Sequence, residues 1–297
     1  MAQSTPLDRR RIATFVAIAL GLAALTGGVL YATGGLESSP EVVGGITLSS
    51  LLLPTVYMFS PAVANVATRL LTGEGWDDLR LRPNLRGRWQ SYVAAWLGTS
   101  VLIGAGFALY LALQQAGLVT PADGGPDVGT AAIVVGLTVG PAINTLVAVG
   151  EEFGWRAYLL QKLEPLGVRR ALLVHGVIWG VWHWPVIAMG YNYGLGYPAA
   201  PWLGLAMMTA ATVAIGTVLG TLALWADSVW PAALAHGTLN AVGSFAVLVS
   251  GVGIVGAAPV ALVGVVPWAV AAGVLLARSG SAPTARSHTD GVDADFS

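Results

Sequence analysis

Cysteine is absent from the 297 residues. That removes disulfides, thiolate metal ligands and thiol nucleophiles together. Charge is scarce as well: Asp, Glu, Lys and Arg make up 10%, where soluble domains carry about 25%. No G-x-x-x-x-G-K-[ST] phosphate loop occurs, so no nucleotide partner is expected. The 14 basic residues are scattered and the net charge is −1, which gives nucleic-acid binding no footing. What fills the space is apolar: 55% hydrophobic residues and a mean hydropathy of +0.72. Composition alone therefore points to a polytopic membrane protein embedded in a lipid bilayer.

About 20 apolar residues cross a bilayer as a helix. Eight such runs are expected, near 12–33, 44–68, 90–113, 129–150, 170–190, 202–225, 231–250 and 256–277. The fold class is thus all-α, with eight transmembrane helices. The fourth run should stay helical to about Gln161, since no turn signal precedes Pro165 and Gly167. The first run follows basic residues but exceeds the 7–15 residues of a signal-peptide core, so it counts as a span. Gly136-x-x-x-Gly140, Gly176-x-x-x-Gly180 and Gly216-x-x-x-Gly220 offer small faces for close helix contact.

One-sided charge sets the orientation. With residues 1–11 in the cytoplasm, Arg9–Arg11, the arginines of 69–88, Arg156, Lys162, Arg169, Arg170, Arg278 and Arg286 all lie inside. The opposite loops carry Glu37, Glu41, Asp123 and Asp127 and no Lys or Arg. By the positive-inside rule both termini of this multi-pass protein are cytoplasmic. The transmembrane domain is 12–277, and 278–297 reads as a disordered tail with no apolar periodicity. Residues 74–89 mix Trp, Leu and Arg and suit either the membrane surface or a solvated loop.

Against this apolar background, Gly150-Glu151-Glu152-Phe153-Gly154-Trp155-Arg156 stands out. Ionisable groups at membrane depth cost roughly 2.5–3.5 kcal/mol each on insertion scales and face a cavity or a partner. Spacing i,i+4 pairs Glu152 with Arg156. Glu151, about 100° round the helix, needs other company. In a hairpin turning near Gly167, Glu151 and His183 each lie 16 residues from the turn, at one depth. His236 and Asn240 share a face of the seventh run. A carboxylate, two imidazoles and a carboxamide can then meet in a pocket expected to open inward, with Trp179 packed on the His183 ring. His175 and Asn144 read as packing and helix-contact residues.

Two chemistries suit this set. Peptide hydrolysis without a serine or cysteine nucleophile needs an activated water and a stabilised oxyanion. Glu151 can take the proton, His183 can position the water, and His236 with the Asn240 amide can hold the oxyanion. Alternatively Glu151, His183 and His236 hold zinc, although H-E-x-x-H is absent and Asn is a poor zinc ligand. Two other classes remain open: a proton-coupled transporter using the same groups as a relay, and a non-catalytic immunity or binding protein.

Glu151-Glu152-x-x-x-Arg156, then Trp179-x-x-x-His183, then His236-x-x-x-Asn240 resembles the CAAX protease and bacteriocin-processing (CPBP, Abi) family. The resemblance covers about 130–250, and Trp179 stands where the family more often has Phe. It implies an all-helical intramembrane endopeptidase acting on a membrane-associated peptide or protein. In it Glu151 and His183 would activate water, and His236 and Asn240 would bind the oxyanion or a metal. It does not fix the substrate.

Overall fold

The computed structural model describes residues 6–120 and 130–279, without the side chains of 131, 132 and 249. The acidic loop with Asp123 and Asp127, and the tail with Arg286 and His288, lie outside the described residues. The protein is all-α and polytopic. Its helices are α1 (Arg9–Ala32), α2 (Leu48–Thr72), α3 (Leu85–Gln115), α4 (Thr130–Gly154, helical onward to Leu166), α5 (Val168–Ile187), α6 (Trp202–Ala226), α7 (Trp230–Ser250) and α8 (Val266–Ser279). A small hairpin, β1 (Glu41–Val43) and β2 (Ile46–Thr47), precedes α2.

Helices α1, α2, α3, α4 and α6 are long and apolar enough to cross a membrane. Helices α5 and α7, with 20 and 21 residues, reach about 30 Å at 1.5 Å per residue. The eighth expected span, 256–277, needs correction: helix begins only at Val266 and lasts 14 residues. Residues 251–265 fold back on themselves instead, with Leu262 N–H on Ile254 O at 2.9 Å and Gly264 N–H on Gly256 O at 3.0 Å. Ala257, Ala258 and Ala261 there are buried. Irregular backbone is tolerated at such depth when protein covers it. Its apolar composition therefore records burial in protein, not a helix in lipid. Residues 251–256 also carry the spacing G-x-G-x-x-G, but they leave a helix instead of a strand and so lack the setting of a dinucleotide loop.

Helices α4 with α7 and α5 with α6 make the most extensive pairs. Glycines set their separation. A Cβ on Gly176 would lie 2.6 Å from Val213 Cα, and one on Gly180 2.6 Å from Thr209 Cα. At the α4–α7 crossing, a Cβ on Gly237 would lie 2.4 Å from Thr145 N. Backbone cannot retreat as a side-chain tip can, so Gly176→Ala is expected to cost about 1–3 kcal/mol, as overpacking does. Thermal unfolding in detergent checks this, with Gly21→Ala as control, since nothing lies within 4 Å of that position. Equal midpoints for the two variants would refute the close-approach account.

Among the described residues three helices carry a π turn: α2 at Leu53–Tyr57, α3 at Ala94–Gly98 and α4 at Trp155–Leu159. The first contains Pro54, whose missing N–H breaks the regular ladder. That turn brings Leu53, Pro54 and Tyr57 to the central cavity.

Arg11, Arg69, Arg80 and Lys162 gather at one end of the bundle, where they are paired. Arg69 Nη2 meets Asp78 at 2.8 Å, and Arg80 bridges Glu164 at 2.7 Å and Asp227 at 2.8 Å. Lys162 pairs with Glu74 and Asp78, and Arg11 with Glu74 at 3.4 Å. Residues 74–80 are thus pinned to the bundle end by ion pairs, and are neither laid on the membrane surface nor a free solvated loop. Burial opposes charge on Asp78, but hydrogen bonds from Lys162 and Arg69 outweigh it and hold the carboxyl below its usual range. The stabilisation this gives is complete above the ordinary aspartate value and is lost as pH falls through the lower folded one.

Candidate active site

Glu151 and Glu152 sit side by side on α4, 3% and 0% exposed, and Arg156 below them is 1% exposed. Arg156 Nη1 donates to Glu152 Oε1 at 2.7 Å, as the i,i+4 spacing requires. The same oxygen also meets His236 Nδ1 from α7 at 2.7 Å. A carboxylate only accepts here, so Nδ1 carries the proton and turns Nε2 toward Glu151, whose Oε1 is 4.0 Å away. Glu152 thus joins two helices and aims an imidazole.

Glu151 finds its company on α5. Trp179 Nε1–H donates to Glu151 Oε2 at 3.0 Å. Sequence reading gave Trp179 only an aromatic role, which it also has: its ring centroid is 5.6 Å from that of His183 and 5.5 Å from that of His236. The Arg156 guanidinium lies over its face at 4.3 Å. One indole therefore meets Glu151, His183, His236 and Arg156. Its N–H was not legible because the donor and acceptor are 28 positions apart.

His183 Nδ1 lies 2.8 Å from Trp179 O. A carbonyl only accepts, so Nδ1 bears the hydrogen and Nε2 keeps a free lone pair. Trp182 packs edge-on to this ring, 4.7 Å between centroids. The indole N–H of Trp182 in turn donates to Ser60 Oγ at 2.9 Å, and Tyr57 O–H donates to Trp182 O at 2.5 Å. Helix α2, which carries no motif, thereby buttresses the histidine helix. Sequence offered no sign of this beyond a lone tyrosine inside a span.

Glu151, Trp179, His183, His236 and Asn240 line one cavity of about 470 Å³. Asn144 lines it too, its Nδ2 on Gly140 O at 3.0 Å. Tyr191, Asn192 and Ser244 also line it and were not singled out from sequence. His175 stands apart, buried and edge-on to Trp155 at 6.1 Å, as its packing reading held. The expectation that the pocket opens toward the basic end fails. Beyond Glu151 on that side come Trp155, Tyr158, Leu159 and Leu160, all buried, and the lining runs the other way, toward Asn192 and Pro259.

A zinc ion would need at least three of these donors to converge on one point. Among the described residues, no three His, Cys, Asp or Glu side chains converge as a metal site requires. His236 and His183 each spend Nδ1 on a protein acceptor and keep Nε2, as metal-bound histidines also do, so the misfit lies in the spacing of the donors alone. The trio Glu151, His183 and His236 does not fit zinc in this arrangement.

Residues 132–242 match the family model described as Rce1-like, type II CAAX prenyl endopeptidase. This stretch is an Rce1-like domain. It contains every member of the polar set, from Glu151 to Asn240, and it brings the three sequence motifs into one place in the membrane. No curated protein matches the chain. The Rce1-like match supports an intramembrane protease with a membrane-associated substrate. Helices α1, α2, α3 and α8 lie outside it, yet α2 supplies cavity wall through Leu53, Pro54, Tyr57 and Met58.

Proposed function

We propose that the protein is an intramembrane endopeptidase in which Glu151 activates water for attack on a peptide carbonyl. The observation that carries this reading is a carboxylate at the closed end of a cavity, fixed by the Trp179 indole at 3.0 Å, with an imidazole nitrogen 4.0 Å from its other oxygen. Glu151 takes a proton from water as the hydroxide oxygen bonds to the carbonyl carbon. His183 Nε2, unprotonated, accepts a hydrogen bond from the water's second O–H, which stays with the attacking oxygen, and so orients the attack. The tetrahedral oxyanion is met by the Asn240 amide and by His236, whose positive form Glu152 supports through Nδ1. When the C–N bond breaks, Glu151 returns the proton to the leaving amine, giving one carboxylic acid and one amine.

Asn240→Ala is expected to lower kcat by roughly 10²–10³ with little change in KM, the usual loss for one oxyanion donor. Cleavage of a membrane-anchored reporter by purified protein, followed across substrate concentration, checks it. An effect confined to KM would remove Asn240 from the oxyanion site. The metal-free reading has its own test: activity should survive a strong chelator. Stoichiometric zinc that leaves with His236→Ala, taking activity with it, would overturn this mechanism.

A further inference from the structure

We propose that the cavity faces the extracytoplasmic side and takes an extended, uncharged segment of an exported or membrane-anchored polypeptide. The proposal rests on the endopeptidase reading for its substrate, and on independent geometry for its direction.

The direction comes from which residues line the space. On α7 the lining runs from His236 through Asn240 and Ser244 to Val247, roughly 16 Å of helix at 1.5 Å per residue. On α4 it runs from Glu151 back to Asn144, on α5 from Trp179 on to Val186, and on α6 from Ile215 back to Met208. These helices alternate in direction, yet all four progressions lead to the same end. That end is lined by Tyr191 and Asn192 from the α5–α6 connection and by Pro259 and Val260 from the α7–α8 connection. Exposure rises the same way, from buried Glu151 and His236 to Ser244 and to Tyr191 at 42%.

The paired arginines and lysine lie at the opposite end, around Arg11, Arg69, Arg80 and Lys162. Basic ends are cytoplasmic. Between that end and the carboxylates stand Trp155, Arg156, Tyr158 and Leu159, all buried. A chain presented from the cytoplasm would meet this floor, not the cavity.

The lining also selects the occupant. It is apolar with neutral hydrogen-bonding groups, as from Leu53, Met208 and Val260 beside Tyr57, Asn144 and Asn192. Neither Lys nor Arg lines it among the described residues. Its ionisable groups, Glu151 and the two histidines, sit at the closed end, so a charged side chain along the rest of the cavity would be desolvated without a partner. Backbone amides of an extended uncharged segment suit the Asn and Tyr groups instead.

Since the chain has no cysteine, single cysteines test this directly. Ser244→Cys and Asn192→Cys mark the mouth, and Val168→Cys marks the basic end. Each is treated with a membrane-impermeant sulfonated maleimide in spheroplasts and in inverted membrane vesicles. Labelling of the two mouth variants in spheroplasts, with Val168→Cys labelled only in inverted vesicles, is the expected result. Labelling of the mouth variants from the same side as Val168→Cys would overturn the proposal. So would labelling that appears only in detergent. A second arm uses two membrane-anchored reporters, one with an uncharged apolar segment outside and one with it inside. Cleavage of the outside reporter alone is expected, and cleavage of the inside one alone would overturn the proposal. If labelling shows an outward mouth while the wild type cuts neither reporter, the occupant fails together with the endopeptidase reading and the direction stands.

Discussion

Glu151→Gln is expected to leave a folded protein that no longer cuts its substrate, with kcat falling by about 10²–10⁴, the range of a lost general base. The amide keeps the shape of the carboxylate and can still accept from the Trp179 indole, so the 3.0 Å contact has no reason to break. What disappears is the capacity to take a proton from water. Removing a buried charge whose nearest cationic atom is 4.0 Å away should not lower stability, so thermal unfolding in detergent should match the wild type or exceed it. Activity near wild-type level in Glu151→Gln would dismiss Glu151 as the base and return the transporter and binding readings to contention.

Glu152→Gln should do the reverse in its first effect. One oxygen of Glu152 serves both Arg156 and His236 at 2.7 Å, in a place with no exposure. Losing that charge strands a buried guanidinium, and breaking one side of a buried pair costs about 3–5 kcal/mol. The unfolding midpoint should drop sharply, and activity should fall too because His236 loses the partner that aims it. Glu152→Asp keeps the charge and should recover part of the stability. A stable Glu152→Gln beside an unstable Glu151→Gln would show that the two carboxylates have been assigned in the wrong order.

The sequence carried much of this because the signals involved are local. Whether α4 is buried in lipid, and whether Glu152 reaches Arg156, are questions of hydropathy and of 3.6 residues per turn. The same arithmetic put Glu151 and His183 at one depth, and the cavity has both in its wall. Local signals failed where composition has two causes. Residues 256–265 are as apolar as a span, yet most of them are buried within the protein, and the eighth helix starts at Val266. Hydropathy cannot tell these environments apart, since both exclude water.

By itself the sequence determined the class of molecule, the end that gathers its charge, and the residue types at the site. Each follows from chain-local chemistry: transfer of side chains out of water, and the period of a helix. Only the tertiary structure decided that the Trp179 indole holds Glu151, that Glu152 aims His236 as well as neutralising Arg156, and that α2 props the His183 helix through Tyr57 and Ser60. It also decided that the cavity lining leads away from the end that carries Arg69, Arg80 and Lys162. Hydrogen bonds between helices depend on crossing angle and rotation, which glycine contacts such as Gly176 on Val213 set. No periodicity within one chain segment encodes where a neighbouring helix will lie.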